Sequence, residues 1–276
     1  MTGVSVIMTV LNREGQVAAS IESLLRQTRL PDEIVVVNDG STDGTGDVLA
    51  NLASKHPEIV VLEHENRGIG ASLHRALSAA TGDAVAIADS DDRYPAMRLE
   101  ESLGLMEHTG ADLVGGQTDT VLGRFVRFGP SRFPTDPGSV ADRFDRGMGP
   151  LPHTTMMLRR SKVESFGSYR PMPRASDLEL MLRWMRQGAR VAVSPAVLAE
   201  HELRWEHLSV LTQRRWTSAT AYARWISALD DGDVPTLDAW EAVRSGAERR
   251  AVWSEAAARV GRLAARGVLG TTRLRR

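Results

Sequence analysis

Residues 84–95 read AVAIADSDDRYP. Five apolar residues run straight into three carboxylates, Asp89, Asp91 and Asp92, with only Ser90 to dilute them. An unbroken apolar run of this length, followed by turn chemistry, suits a strand buried on both faces. Carboxylates this close repel, and each disfavours ionisation of its neighbours. A buried strand that ends this way carries its acids to its carboxyl end, where open parallel sheets bind ligands. The stretch therefore poses the fold and the chemistry together.

Upstream, VSVIMTV (4–10), DEIVVVND (32–39) and EIVVLEH (58–64) read as further strands. Between them, REGQVAASIESLLRQT (13–28) sets Val17, Ile21, Leu24 and Leu25 at helical spacing. STDGTGDVLANLASK (41–55) opens on helix-capping residues, and GIGASLHRALSAATG (68–82) ends on a glycine stop. Strand–helix alternation of this kind predicts an α/β fold with a mostly parallel central sheet and helices on both faces. Downstream the spacing predicts a helix over 96–110, a strand over 111–121 and loops around a short helix near 138–147. A strand follows over 153–160, then an amphipathic helix over 176–188 and two short strands broken at Pro195. One catalytic-type domain over 1–206 is expected, its halves about 1–95 and 96–206, with a helical C-terminal extension over 207–276.

The bulk composition excludes several classes. The chain has 276 residues, a formal charge of −1 and no cysteine. Near-neutral charge gives no reason to expect a nucleic-acid partner. Disulfides and cysteine-based zinc sites are excluded. No apolar run approaches the roughly 20 residues that span a bilayer, and the start MTGVSVIMTV lacks a basic leader. The expectation is a cytoplasmic protein, at most peripheral to the inner face of a membrane.

Two acidic clusters fall at predicted strand ends: Asp39 after IVVVN, and the Asp89–Asp92 group after AVAIA. A hard divalent cation prefers oxygen ligands and relieves such crowding. Asp89 and Asp91, two apart in extended backbone, point the same way and suit one bound metal diphosphate. The competing readings are an exposed turn with solvated acids, or Asp92 as the cap of the next helix.

The motifs VSVIMTVLNREGQVAASIESLLRQT, DEIVVVNDGSTDGT, NRGIGASLHRAL and AIADSDD, in this order and spacing, resemble family 2 glycosyltransferases of the GT-A fold. PHTTMMLRRSKVESFGSYRP and SDLELMLRWMRQGARV extend the resemblance over about three quarters of the chain. It implies a nucleotide-sugar donor, a Mn²⁺ or Mg²⁺ cofactor and an inverting single displacement. Thr9, Val10, Leu11, Asn12 and Glu14 take the place of the loop that wraps the nucleotide base, with Leu11 replacing a common aromatic. Asp39 resembles the carboxylate that accepts the uracil N3–H; thymine shares that edge, so UDP- and dTDP-sugars both fit. Arg67 and Gly68 lie where the family's third loop meets the nucleotide. Gly68-x-Gly70 lacks the third glycine of a dinucleotide fingerprint. The resemblance assigns Asp89 and Ser90 to the nucleotide, Asp89 and Asp91 to the metal, and Asp92 to a supporting position.

Transfer also needs a general base for the acceptor hydroxyl. The family places it in a Glu-Asp pair at a helix start. Here the pair reads Ser176-Asp177, so Asp177 keeps the base and Ser176 removes one carboxylate. Glu179 faces elsewhere on that helix. His153 matches a position on the acceptor side. His207, or His201, stands where relatives carry a histidine that completes the metal shell. The acceptor is open: glycan, lipid-linked glycan, natural product or peptide. The C-terminal stretch around Trp253 and Val260, rimmed by arginines, suits packing or a homo-oligomer contact, or a membrane surface. A nucleotidyltransferase, or a non-catalytic sugar-nucleotide binder of the same fold, is the alternative. TVLNREG lacks the Gly-rich basic loop that the first of these needs.

Overall fold

The computed structural model describes residues 2–122, 126–172 and 175–203. The expected helical extension and His207 lie outside these residues. In chain order the elements are β1 (Val4–Val10), α1 (Val17–Leu24), β2 (Glu33–Asn38), α2 (Thr45–Lys55), β3 (Ile59–Glu63), α3 (Ile69–Ala79), β4 (Ala84–Asp89), β5 (Asp92–Arg93) and α4 (Arg98–Thr109). They continue with β6 (Leu113–Leu122), β7 (Val126–Pro130), α5 (Pro137–Asp145), β8 (Met157–Arg159), α6 (Val163–Phe166), α7 (Ser176–Arg186) and β9 (Val191–Leu203). Short 3₁₀ turns flank β8, so the strand predicted over 153–160 is confined to its centre.

The strands form one sheet in the order β3-β2-β1-β4-β8-β6-β9-β5, with β7 beside β6. β1 to β4 are parallel neighbours, as the alternation requires. Beyond β4 the sheet is mixed: β8 runs antiparallel to both β4 and β6, while β9 is parallel to β6.

Period-two alternation in the apolar strands feeds two cores. Val4, Val6, Met8, Ile34, Val36, Ala84 and Ala86 face the layer of α1, α2 and α4, against Ile21, Leu24, Leu49 and Leu99. Ile7, Val35, Val37, Val85 and Ile87 face α3, α5 and α7, against Leu73, Leu77, Leu180 and Trp184. Each such fully buried branched or aromatic side chain contributes about 1.5–3 kcal/mol. Doubly covered strands are why 4–10 and 84–88 read as continuous apolar runs.

The break predicted at Pro195 is instead a bulge within one strand. Gly115 pairs with Val193 and Gln117 with Val197, so β9 carries two extra residues there. Proline offers no N–H to a ladder and is tolerated at such an irregularity. Gln117 ties the bulge down, its Nε2 donating to Ser194 O at 3.1 Å.

Candidate active site

β1, β2 and β4 end side by side. Thr9 pairs with Val37 on one side and Asp89 on the other. The loop after β1 therefore sits between the two acidic strand ends. A cleft of about 690 Å³ opens there, lined by Thr9, Val10, Leu11, Asn12, Asp39, Gly68, Asp89, Ser90 and Asp91. Arg13, Asn66 and Ile69, which motif reasoning did not select, line it too.

Asp39 is buried and receives the backbone N–H of Arg67 at 2.8 Å and of Gly68 at 3.1 Å, one on each carboxylate oxygen. Each oxygen keeps a second acceptor site. Asn12 adopts φ 54°, a left-handed conformation that asparagine tolerates, and its Oδ1 accepts from Thr42 N at 2.8 Å. Glu14 does not line the cleft; its carboxylate accepts from Gly44 N at 3.1 Å, at the start of α2. Arg67 contributes backbone to the cleft's edge, while its side chain lines a different cavity.

Counter-charges surround the acid cluster. The Arg13 guanidinium lies over Asp91, with Nε 3.4 Å from Oδ2. Asp92 is wholly buried, and its Oδ1 is 2.7 Å from His201 Nδ1. Their backbones meet as well, since Asp92 and His201 pair between β5 and β9. That hydrogen bond holds the His201 proton up to about 9. The Nδ1 side of His201 is thus committed to Asp92, an arrangement also used by histidines that ligate a metal through the other ring nitrogen. Asp89 is hemmed in by protein yet keeps 42% of its side chain open to the cleft. Desolvation, then Asp92 and Asp91, push its carboxyl up to about 8.

Beneath the cluster lies Arg98, fully buried. Its guanidinium stacks 4.1 Å from the Tyr94 ring centre and donates to Ile87 O and, at 2.9 Å, to Thr154 O. Its Nε and Nη1 have no hydrogen-bond partner, nor has Asp92 Oδ2. The charge of Arg98 acts on Asp89 and Asp92 through protein rather than water. Tyr94 OH accepts from Asp89 N at 2.6 Å and donates toward Asp89 O at 3.1 Å, and Ser20 Oγ donates to the same carbonyl at 2.9 Å. The acid loop is therefore rigidly held.

The second half of the chain brings His153 beside Asp89. His153 Nδ1 is 4.0 Å from Asp89 Oδ1, and its Nε2 is 2.8 Å from Tyr169 OH. Burial lowers the His153 pKa, so the ring is neutral at pH 7. Asp177, in the first turn of α7, is close enough for its charge to act on Asp89, His153 and Tyr169. Its neighbour Ser176 is buried. The helix start is set by Ala175 at φ 58°, an uncommon value for a residue with a Cβ. Glu179 is structural: wholly buried, it pairs with Arg183 at 2.8 Å and Arg170 at 3.2 Å.

Among the described residues no group of three or more His, Cys, Asp or Glu side chains converges as a ready metal cage. Asp89 and Asp91 supply two hard oxygen donors, and Mg²⁺-type sites often use one or two carboxylates completed by substrate phosphates. The donor set suits that arrangement, and Arg13 already places a positive charge on Asp91.

A family model described as "Glycosyl transferase family 2" matches residues 5–167, more than half of the chain. The chain belongs to this family. It is 34% identical over 194 residues to the putative glycosyltransferase EpsE of Bacillus subtilis, covering 68% of each. It is 32% identical to the amylovoran biosynthesis glycosyltransferase AmsE of Erwinia amylovora, covering 70% of this chain and 74% of that one. The fold is shared with S. aureus TarS, solved with UDP, at a TM-score of 0.62 and 20% identity over 83% of this glycosyltransferase and 67% of that chain. A mannosyltransferase from Pyrobaculum calidifontis, solved with GDP-Man and Mn²⁺, gives a TM-score of 0.63 at 22% identity, covering 96% and 75%. The architecture is thus GT-A, and the protein is a glycosyltransferase. No helix among the described residues is long and apolar enough to cross a membrane.

Proposed function

We propose that this glycosyltransferase moves a sugar from a UDP-sugar, or a dTDP-sugar, to an acceptor hydroxyl with inversion, using Mn²⁺ or Mg²⁺ and Asp177 as general base. The observation that carries the reading is the gathering of Asp39, Asp89 and Asp91 along one cleft, with His153 Nδ1 4.0 Å from Asp89 Oδ1. Asp39, at the floor of that cleft, is a charge-assisted acceptor for an imide N–H. Thr9 to Asn12 form the wall beside it. Asp89 and Asp91 would hold the cation, which when bound supplies Lewis-acid stabilisation of the leaving diphosphate. Arg13 then turns from Asp91 to the phosphates, a fork suited to them. Neutral His153 holds Tyr169 and borders the space between Asp89 and Asp177. The Asp177 carboxylate takes the hydroxyl proton as the oxygen attacks, and the first turn of α7 favours its charge.

The deciding experiment is a thermal-shift panel of UDP-, dTDP- and GDP-sugars with and without Mn²⁺. A ligand that binds the native state alone raises apparent stability. The reading expects a shift with a UDP- or dTDP-sugar that depends on the cation, and nucleoside diphosphate as product. A response to GDP-sugars only would remove the role given to Asp39. Release of pyrophosphate would move the activity to nucleotidyl transfer.

A further inference from the structure

A second cavity, of about 510 Å³, lies between α3 and the segment that follows Gly167. Its lining includes Arg67, His74, Arg75 and Tyr169 and, among the described residues, no carboxylate. Ala71, His74, Arg75 and Ser78 recur at helical spacing, so one face of α3 presents them together. That face is basic and open to solvent, with His74 and Ser78 exposed. The Arg67 guanidinium has no carboxylate partner among the described residues. Arg75 spends one nitrogen on Glu63 O at 2.8 Å. His74 Nδ1 meets Ser168 Oγ at 2.9 Å, which holds the ring in place. The carboxylates closest in sequence, Glu63 and Glu65, line another cavity with Asn38 and Asp43. Two guanidinium forks at the rim of a roomy hollow suit bidentate binding of phosphate or carboxylate.

We propose that this cavity is a second anion site, separate from the donor cleft, and that it anchors a phosphate or carboxylate group of the acceptor. Tyr169 lines this cavity and links it to His153. Its hydroxyl is 2.8 Å from His153 Nε2, and His153 Nδ1 is 4.0 Å from Asp89. Two side chains, Tyr169 and His153, thus separate an acceptor held by its anion at Arg75 from Asp89. The anion site stands on its own geometry; its assignment to the acceptor rests on the transfer reaction proposed above.

The test titrates inorganic phosphate into the full chain saturated with UDP and Mg²⁺, following the His74 ring resonances. The expected result is a saturable shift of His74, weakened at least fivefold in Arg75→Gln and less than that in Arg75→Lys, which keeps the charge but loses the fork. Cation-dependent donor hydrolysis without acceptor should be the same in wild type and Arg75→Gln, with matching melting curves. A His74 signal that never moves overturns the proposal. So does one that moves equally in Arg75→Gln, or one that phosphate reaches only when UDP is absent. Failure of the wild type to bind any nucleotide would instead strike the transfer reading, with the His74 response still legible.

Discussion

Arg98 explains how three carboxylates tolerate one strand end. It is buried beneath them, with two nitrogens unpartnered and its charge felt by Asp89 and Asp92. Arg98→Met would strand Ile87 O and Thr154 O, at about 1–3 kcal/mol for each buried acceptor. Urea denaturation should therefore show a loss of about 3 kcal/mol or more. Carboxyl NMR should find Asp89 titrating still higher than about 8. Asp177→Asn should leave nucleotide binding intact and slow transfer about 10²–10⁴-fold, the range for a lost general base. Glu33 gives a different pH signature. Burial raises its pKa, but hydrogen bonds from Ser5 and Thr81 outweigh this and bring it below its ordinary value of 4.5. A carboxylate with a depressed folded pKa stabilises above its unfolded value and loses that contribution as pH falls through the folded one. The stability gap between wild type and Glu33→Gln should accordingly be full at pH 7 and shrink on acidification below 4.5.

At the scale of elements, the approach of α3 to the segment before α7 depends on Gly70. A Cβ there would lie 2.4 Å from Arg170 O and 2.6 Å from Met172 N. Backbone cannot yield as a flexible side chain does, so Gly70→Ala should cost about 1–3 kcal/mol. It should also displace Tyr169, read as a shift of the His153 ring resonances. The Glu179–Arg183 pair supports the same junction, with Arg183 donating to Phe166 O and to Ser168 O at 2.7 Å. These supports were hard to see in the sequence, because a buried salt bridge and an exposed helical pair have the same spacing. Pro195 misled for a related reason: local chemistry favours a break, and only the pairing partner decides that the strand resumes.

For the molecule as a whole, the first half was the legible part. Its strands are covered on both faces, so apolar runs and glycine or proline punctuation carry the signal, and the acids fall at the strand ends by topology. Asp39, Asp89 and Asp91 could be placed in a cleft on that ground. The second half was less legible, because antiparallel and bulged strands leave weaker patterns. Arg13 escaped notice for another reason: a lone arginine in a loop declares nothing until Asp91 is known to stand opposite. The bond from Glu14 to the start of α2 also gave no sign of itself in the sequence.

Short strands join these two halves, β5 by pairing with β9 and β8 from within the sheet. β8 is three residues long, and among the described residues it alone bridges β4 to β6. Met157 enters one core layer and Leu158 the other. A slip of one residue would exchange them and carry His153 away from Asp89. The spacing between donor and acceptor machinery is therefore metered by strand register, as a ruler is by its graduations. Insertions should be absorbed within 131–136, where the chain is irregular, and ruinous within 156–159.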